Sequence, residues 1–116
     1  PEADDGAGHF RASLAIIAAR HADPGLSASA IAAAVGLSDR QLSRVFAAEG
    51  TSVPRAVMEA RLDAGRALLA SPGMASMAMS EVAARAGFAS QAQFSRSYRE
   101  RFGVSPLRHR RELLAG

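Results

Sequence analysis

An all-α fold of about seven helices is predicted by three features of the 116-residue chain. Twenty-seven residues are alanine, the strongest helix former. Apolar residues recur at three- and four-residue steps rather than in alternation. The periodic segments are punctuated by Ser, Gly and Pro where helices start and stop.

Taken in order, residues 1–8 (PEADDGAG) are acidic, lack apolar periodicity and are expected to form a disordered tail or linker. A first helix is expected from His9 to about Ala22, with Phe10, Leu14, Ile17 and Ala18 as its apolar stripe and Asp23-Pro24-Gly25 as its stop. Ser27 or Ser29 can cap a second helix to Val35, and Gly36 then suits the left-handed terminating position. Ser38 caps a third helix over Asp39 to about Ala48, whose inner face is Leu42, Val45 and Phe46. Ser52 and Pro54 open a longer helix through about Leu69, striped by Met58, Leu62, Gly65 and Leu69, and Ser71-Pro72-Gly73 stops it. After a loop over Met74 to Met79, Ser80 can cap a fifth helix ending at Gly87. Ser90 caps a sixth, with Phe94, Tyr98 and Phe102 at four-residue steps and Gly103 as terminator; Ser105-Pro106 starts a last helix to about Leu114.

Composition excludes several classes of function. With no cysteine there is no disulfide framework, thiolate metal site or cysteine nucleophile. His9, His21 and His109 are scattered, and no acid lies at a metal-ligand or catalytic spacing from them, so neither a metal, a cofactor nor an enzyme activity is expected. Gly6-Ala7-Gly8 follows no strand and is not a phosphate loop. No apolar run approaches the roughly 18 residues of a membrane span and no signal pattern is present, so the expected location is cytoplasmic, with no membrane partner. A chain that starts at Pro1 reads as a fragment or a processed product.

All 14 basic residues are arginine. Residues 1–58 hold five arginines and six acids, a balance of −1, whereas residues 59–116 hold nine arginines and five acids, a balance of +4. Residues 91–111 concentrate six arginines against Glu100 alone, which suits a polyanion, although charge by itself fits a solvated helix face equally well.

An internal repeat organises the chain. Ser29 to Leu37 (SAIAAAVGL) aligns with Ser80 to Phe88 (SEVAARAGF), Leu42-Ser43-Arg44-Val45-Phe46 with Phe94-Ser95-Arg96-Ser97-Tyr98, and Gly50-Thr51-Ser52 with Gly103-Val104-Ser105. In each copy a small residue, Ala32 or Ala83, precedes the turn glycine by four positions and lets two helices cross closely, and Leu37 or Phe88 plugs the space between them. A helix, a glycine turn, a serine cap and a second helix form a helix-turn-helix, whose second helix can enter a major groove. The expected organisation is a first such subdomain over 9–52, a linker helix over 53–70, and a second subdomain with a C-terminal helix over 71–116.

With these residues the chain resembles the DNA-binding domain of the AraC/XylS family of bacterial transcription regulators over about residues 9–113. The specific part is Val82 to Phe88 (VAARAGF), Ser90, Phe94 to Tyr98 (FSRSY), Arg101 to Pro106 (RFGVSP) and Arg110; Arg61-Leu62-Asp63-Ala64 and Leu68-Leu69 fit the looser first half. Departures are Tyr98 where phenylalanine is usual, Ala89 beside the cap, and Ala92 at an often polar position, which reduces what the sixth helix can offer to bases. The resemblance implies two lobes on a rigid helix binding successive major grooves of double-stranded DNA, and a separate sensing or dimerising domain upstream. A 16-residue helix from Pro54 to Leu69 spans about 24 Å, compatible with reading helices one DNA turn apart, roughly 34 Å. The isolated domain is expected to be monomeric, with RNA polymerase as a further partner.

Candidate base-reading residues lie opposite the apolar faces. On the third helix these are Arg40, Ser43 and Arg44; the two arginines form a like-charge i,i+4 pair that no acid relieves, and stability alone does not explain it. On the sixth helix they are Gln91, Gln93, Ser95 and Arg96, although Arg96 could pair with Glu100 and the glutamines suit adenine or phosphate alike. Arg99, Arg101, Arg108, Arg110 and Arg111 suit backbone phosphates. Ser38, Ser90 and Ser105 are caps at helix N-termini, where phosphates are also held. Asp39 is assigned to supporting its helix N-terminus. The runner-up reading is a helical protein-interaction module that docks on RNA polymerase or a sensory domain through an exposed alanine and methionine surface around Met74, Met77 and Met79.

Overall fold

The computed structural model describes residues 2–116. Those residues form seven α-helices: α1 (Glu2–Arg20), α2 (Ala28–Ala34), α3 (Asp39–Ala48), α4 (Val53–Ala70), α5 (Met79–Ala86), α6 (Gln91–Phe102) and α7 (Pro106–Ala115), with a 3-10 turn over Pro72–Met74. No strand is present among them, and none of these helices is long and apolar enough to cross a membrane.

Two compact units divide between Ala60 and Arg61, inside α4. In the first, α1, α2 and α3 pack together around Ile17, Leu26, Ile31, Leu42 and Phe46, and the start of α4 adds Val53, Ala56 and Val57. Phe10 meets the Phe46 ring edge-on at 5.0 Å. In the second, Leu62 and Leu69 of α4 are buried with Val82, Ala83, Phe88, Phe94 and Tyr98. Here an aromatic ladder joins the aliphatic residues, with Phe88, Phe94, Tyr98 and Phe102 in successive ring contacts of 5.1, 5.4 and 4.5 Å. Gly65 makes room for it, since a Cβ there would lie 2.6 Å from Cε1 of Phe94.

The repeated turn is built alike in both units. Gly36 and Gly87 have φ of +75° and +102°, a region that glycine enters without a Cβ penalty. Leu37 N–H donates to the Ala32 carbonyl at 2.9 Å, and Phe88 N–H donates to the Ala83 carbonyl at 3.0 Å. These bonds satisfy carbonyls that the end of a helix would leave unpaired.

Three expectations need correction. Residues 2–8, expected as a tail, belong to α1, and Pro1 lies outside the described residues. Periodicity could not register this extension, because a polar, alanine-containing stretch carries no apolar repeat. The buried face of α1 is also rotated from the predicted stripe: Leu14 is 38% exposed and Ala18 is exposed, while Ser13 is fully buried beside Ile17. Ser13 tolerates that position because its hydroxyl donates to the His9 carbonyl at 2.7 Å, which offsets the cost of burying it. Finally, Ser80 is no cap. Helix α5 starts at Met79 with Ala78 at the cap position and no side-chain bond, whereas Ser27 caps α2 through the Ala30 N–H.

Candidate nucleic-acid interface

Helix α3 is held rigidly at its N-terminus. Ser38 Oγ accepts from the Gln41 N–H at 3.1 Å while Gln41 Oε1 accepts from the Ser38 N–H at 2.9 Å, a reciprocal capping box. Asp39 does more than support the helix end: its Oδ2 accepts from the Ser29 hydroxyl at 2.6 Å and so ties α3 to α2. With Leu42 and Phe46 fully buried, the opposite face is fixed outward, and Arg40, Ser43 and Arg44 are all exposed on it. Among the described residues, neither arginine has a hydrogen-bond or ion-pair partner, unlike Arg20 with Asp23, Arg85 with Glu81 and Arg108 with Glu112.

Helix α6 separates its candidates into two groups. Gln91, Ser95 and Arg99, one above another at i,i+4 steps, line an open groove of about 310 Å³ together with Ser105, the cap of α7, and Arg110 of α7. Arg96 is exposed outside that groove, and Gln93 is half-buried with its N–H on the Ser90 cap at 3.1 Å. Arg96 and Glu100 form no ion pair among the described residues.

The remaining arginines are also distinguished by their contacts. Arg101 lies over the Phe102 ring at 4.8 Å. Arg108 pairs with Glu112 at 3.2 Å, both largely exposed, and its backbone N–H donates to the Ser105 cap. Arg111 is exposed. Arg110 is half-buried, and its Nη1 donates to the Met77 carbonyl at 2.7 Å, an anchor that spacing could not reveal. Helix α7 is joined to α6 by a further bond that sequence reasoning missed, between the Tyr98 hydroxyl and His109 Nδ1 at 2.5 Å. A tyrosine on a core stripe is itself the signal for such a bond, because a buried hydroxyl requires a partner. Burial pushes the Tyr98 hydroxyl pKa up to about 12, against the opposing pull of the Arg66 charge. On the alanine and methionine surface of the protein-docking reading, Met74, Met77 and Met79 are half-buried, while Ala75 and Ala78 are exposed.

Two helix-turn-helix units, each carrying exposed arginines on its second helix, define a DNA-binding module. Residues 31–112 match the helix-turn-helix domain family. The chain is 38% identical over 90 residues to the transcriptional activator NphR of Rhodococcus, covering 78% of this chain and 26% of that protein. Among solved structures it is similar to a transcriptional regulator with an AraC-type DNA-binding domain from Chromobacterium violaceum, at 30% identity and a TM-score of 0.82, with 91% and 92% of the two chains covered. It is also similar to the C-terminal domain of the response regulator AraT from Geobacillus stearothermophilus, at 27% identity and a TM-score of 0.81, with 90% and 84% covered. The chain belongs to this helix-turn-helix family as an AraC-type domain, a type that binds double-stranded DNA. It spans about a quarter of the length of NphR.

Proposed function

We propose that the domain recognises specific double-stranded DNA sequences for a bacterial transcription regulator, presenting the second helix of each unit to a major groove. The observation that carries this reading is the outer face of α3, where Arg40 and Arg44 stand exposed, like-charged and unpaired among the described residues. Inside the protein that pair costs a few tenths of a kcal/mol. Against DNA, a bidentate arginine contact to guanine O6 and N7 supplies roughly 1–3 kcal/mol of discrimination. Ser43 shares the face. Gln91, Gln93, Ser95 and Arg96 of α6 serve the second unit's half-site, and Arg99, Arg101, Arg108, Arg110 and Arg111 neutralise phosphates, with the capped N-termini at Ser38, Ser90 and Ser105 beside them.

In this reading the domain is a binding module without catalytic activity, works in the cytoplasm and is monomeric when isolated. Sensing, dimerisation and any contact with RNA polymerase belong to the longer regulator, and the naming of NphR as a transcriptional activator supports a place at promoters. A salt titration of binding to a preferred duplex tests the proposal. With about six phosphates neutralised, log affinity should fall against log salt with a slope near −5. A flat response would contradict it.

A further inference from the structure

The stripe Gln91, Ser95, Arg99 and the neighbouring Arg96 occupy different shapes of surface. The first three form one wall of the groove between α6 and α7, and Arg110 contributes to it from α7. Arg96 lies outside it and is exposed. Shape matters here because base edges lie at the floor of a major groove about 8.5 Å deep, whereas phosphates form the ridges beside it. A side chain standing clear of a helix can reach the floor; side chains lining a concavity meet whatever projects into them, which on a duplex is the backbone.

The chemistry of the groove agrees with its shape. Its charged lining residues are Arg99 and Arg110, with no acid. Arg110 is anchored by the Met77 carbonyl and keeps further N–H groups to donate, and Arg99 has no ion-pair or hydrogen-bond partner through its side chain among the described residues. Gln91 and Ser95 add neutral donors, while Met79 and Leu107, the latter 45% exposed, give the groove an apolar flank against which a deoxyribose can lie. Its volume of about 310 Å³ leaves room for a phosphate and part of its sugar.

We propose that the groove between α6 and α7 holds one phosphodiester group of the DNA backbone, so that Gln91 and Ser95 grip the backbone and Arg96 is the base reader beside them. The proposal rests on the DNA-binding reading above and sharpens it at one site. The test uses the 116-residue chain and the duplex it prefers from a randomised library, with single methylphosphonates placed at each position in turn. One neutralised phosphate should weaken wild-type binding by about 10-fold or more. At that position Arg99→Gln should shrink the penalty of the same methylphosphonate several-fold, Ser95→Ala should shrink it by less, and neither should change the selected bases. Penalties that simply multiply in both variants, or an altered base preference in Ser95→Ala or Gln91→Ala, would overturn the proposal while leaving sequence-specific binding intact. Failure of the wild-type chain to select any duplex would overturn both readings together.

Discussion

The two units make the same glycine turn, with Leu37 and Phe88 bonded back to Ala32 and Ala83, yet they hold their second helices by different means. In the first unit α3 is fixed by polar devices at its N-terminus, the Ser38–Gln41 box and the Ser29–Asp39 bond, and by packing against α1. In the second unit α6 is fixed along its length by the aromatic ladder and by α7, joined through Tyr98–His109 and anchored by Arg110 on the Met77 carbonyl. The difference shows how one supersecondary unit is specialised without changing its backbone. A helix fixed at its end leaves a convex face free, and α3 uses it for two unpaired arginines. A helix covered by a further helix acquires a concave flank, and α6 lines it with Gln91, Ser95 and Arg99.

The comparison breaks most readily at the matching core positions Leu42 and Phe94. Phe94→Ala should cost about 3–5 kcal/mol of stability in urea unfolding and exceed the loss from Leu42→Ala. An equal or larger loss at Leu42 would remove the ladder as the distinguishing support of the second unit.

The next effect is confined to high pH. Because the folded-state pKa of Tyr98 is raised to about 12 from an ordinary value of 10, its contribution to stability is complete below about pH 10 and is lost as pH rises toward 12. That loss is on the order of 2 kcal/mol. Tyr98 is the one tyrosine in the sequence, so phenolate absorbance reports this residue directly. Tyr98→Phe should remove this component of alkaline destabilisation, and a tyrosine that titrates normally in the folded protein would contradict the buried position.

A smaller difference separates two adjacent arginines of α7. Arg110→Ala should lose about 1 kcal/mol in thermal or urea unfolding through its bond to Met77. Arg111→Ala, at an exposed position, should stay within about 0.5 kcal/mol. Each should reduce the steepness of the salt dependence by about one. Equal stabilities would mean that the Met77 anchor contributes nothing.

Much of this arrangement was legible in the sequence, because local rules govern it. The serine caps at Ser27, Ser38, Ser90 and Ser105 and the left-handed glycines follow from steric and hydrogen-bonding needs within a few residues. The repeat then identified the unit. What stayed hidden depends on packing and on bonds that residue spacing does not specify. Ser13 entered the core because a carbonyl four residues back accepts its hydroxyl proton, and this turned the predicted face of α1 toward Ser13 and away from Leu14. Arg110 finds its acceptor 33 residues earlier, and spacing gave it only a phosphate role. Periodicity placed Gln91, Ser95 and Arg96 on one outward face, but the neighbouring α7 turns part of that face into a groove.

Base reading by the first unit is assigned to Arg40 and Arg44. Parallel selection from a randomised duplex library by the wild-type chain and by an Arg40→Ala/Arg44→Ala double variant tests it most directly. The wild type should select guanine at positions that become degenerate in the double variant, while preference elsewhere in the site survives. Unchanged base preferences with uniformly weaker binding would contradict it and reduce both arginines to backbone contacts.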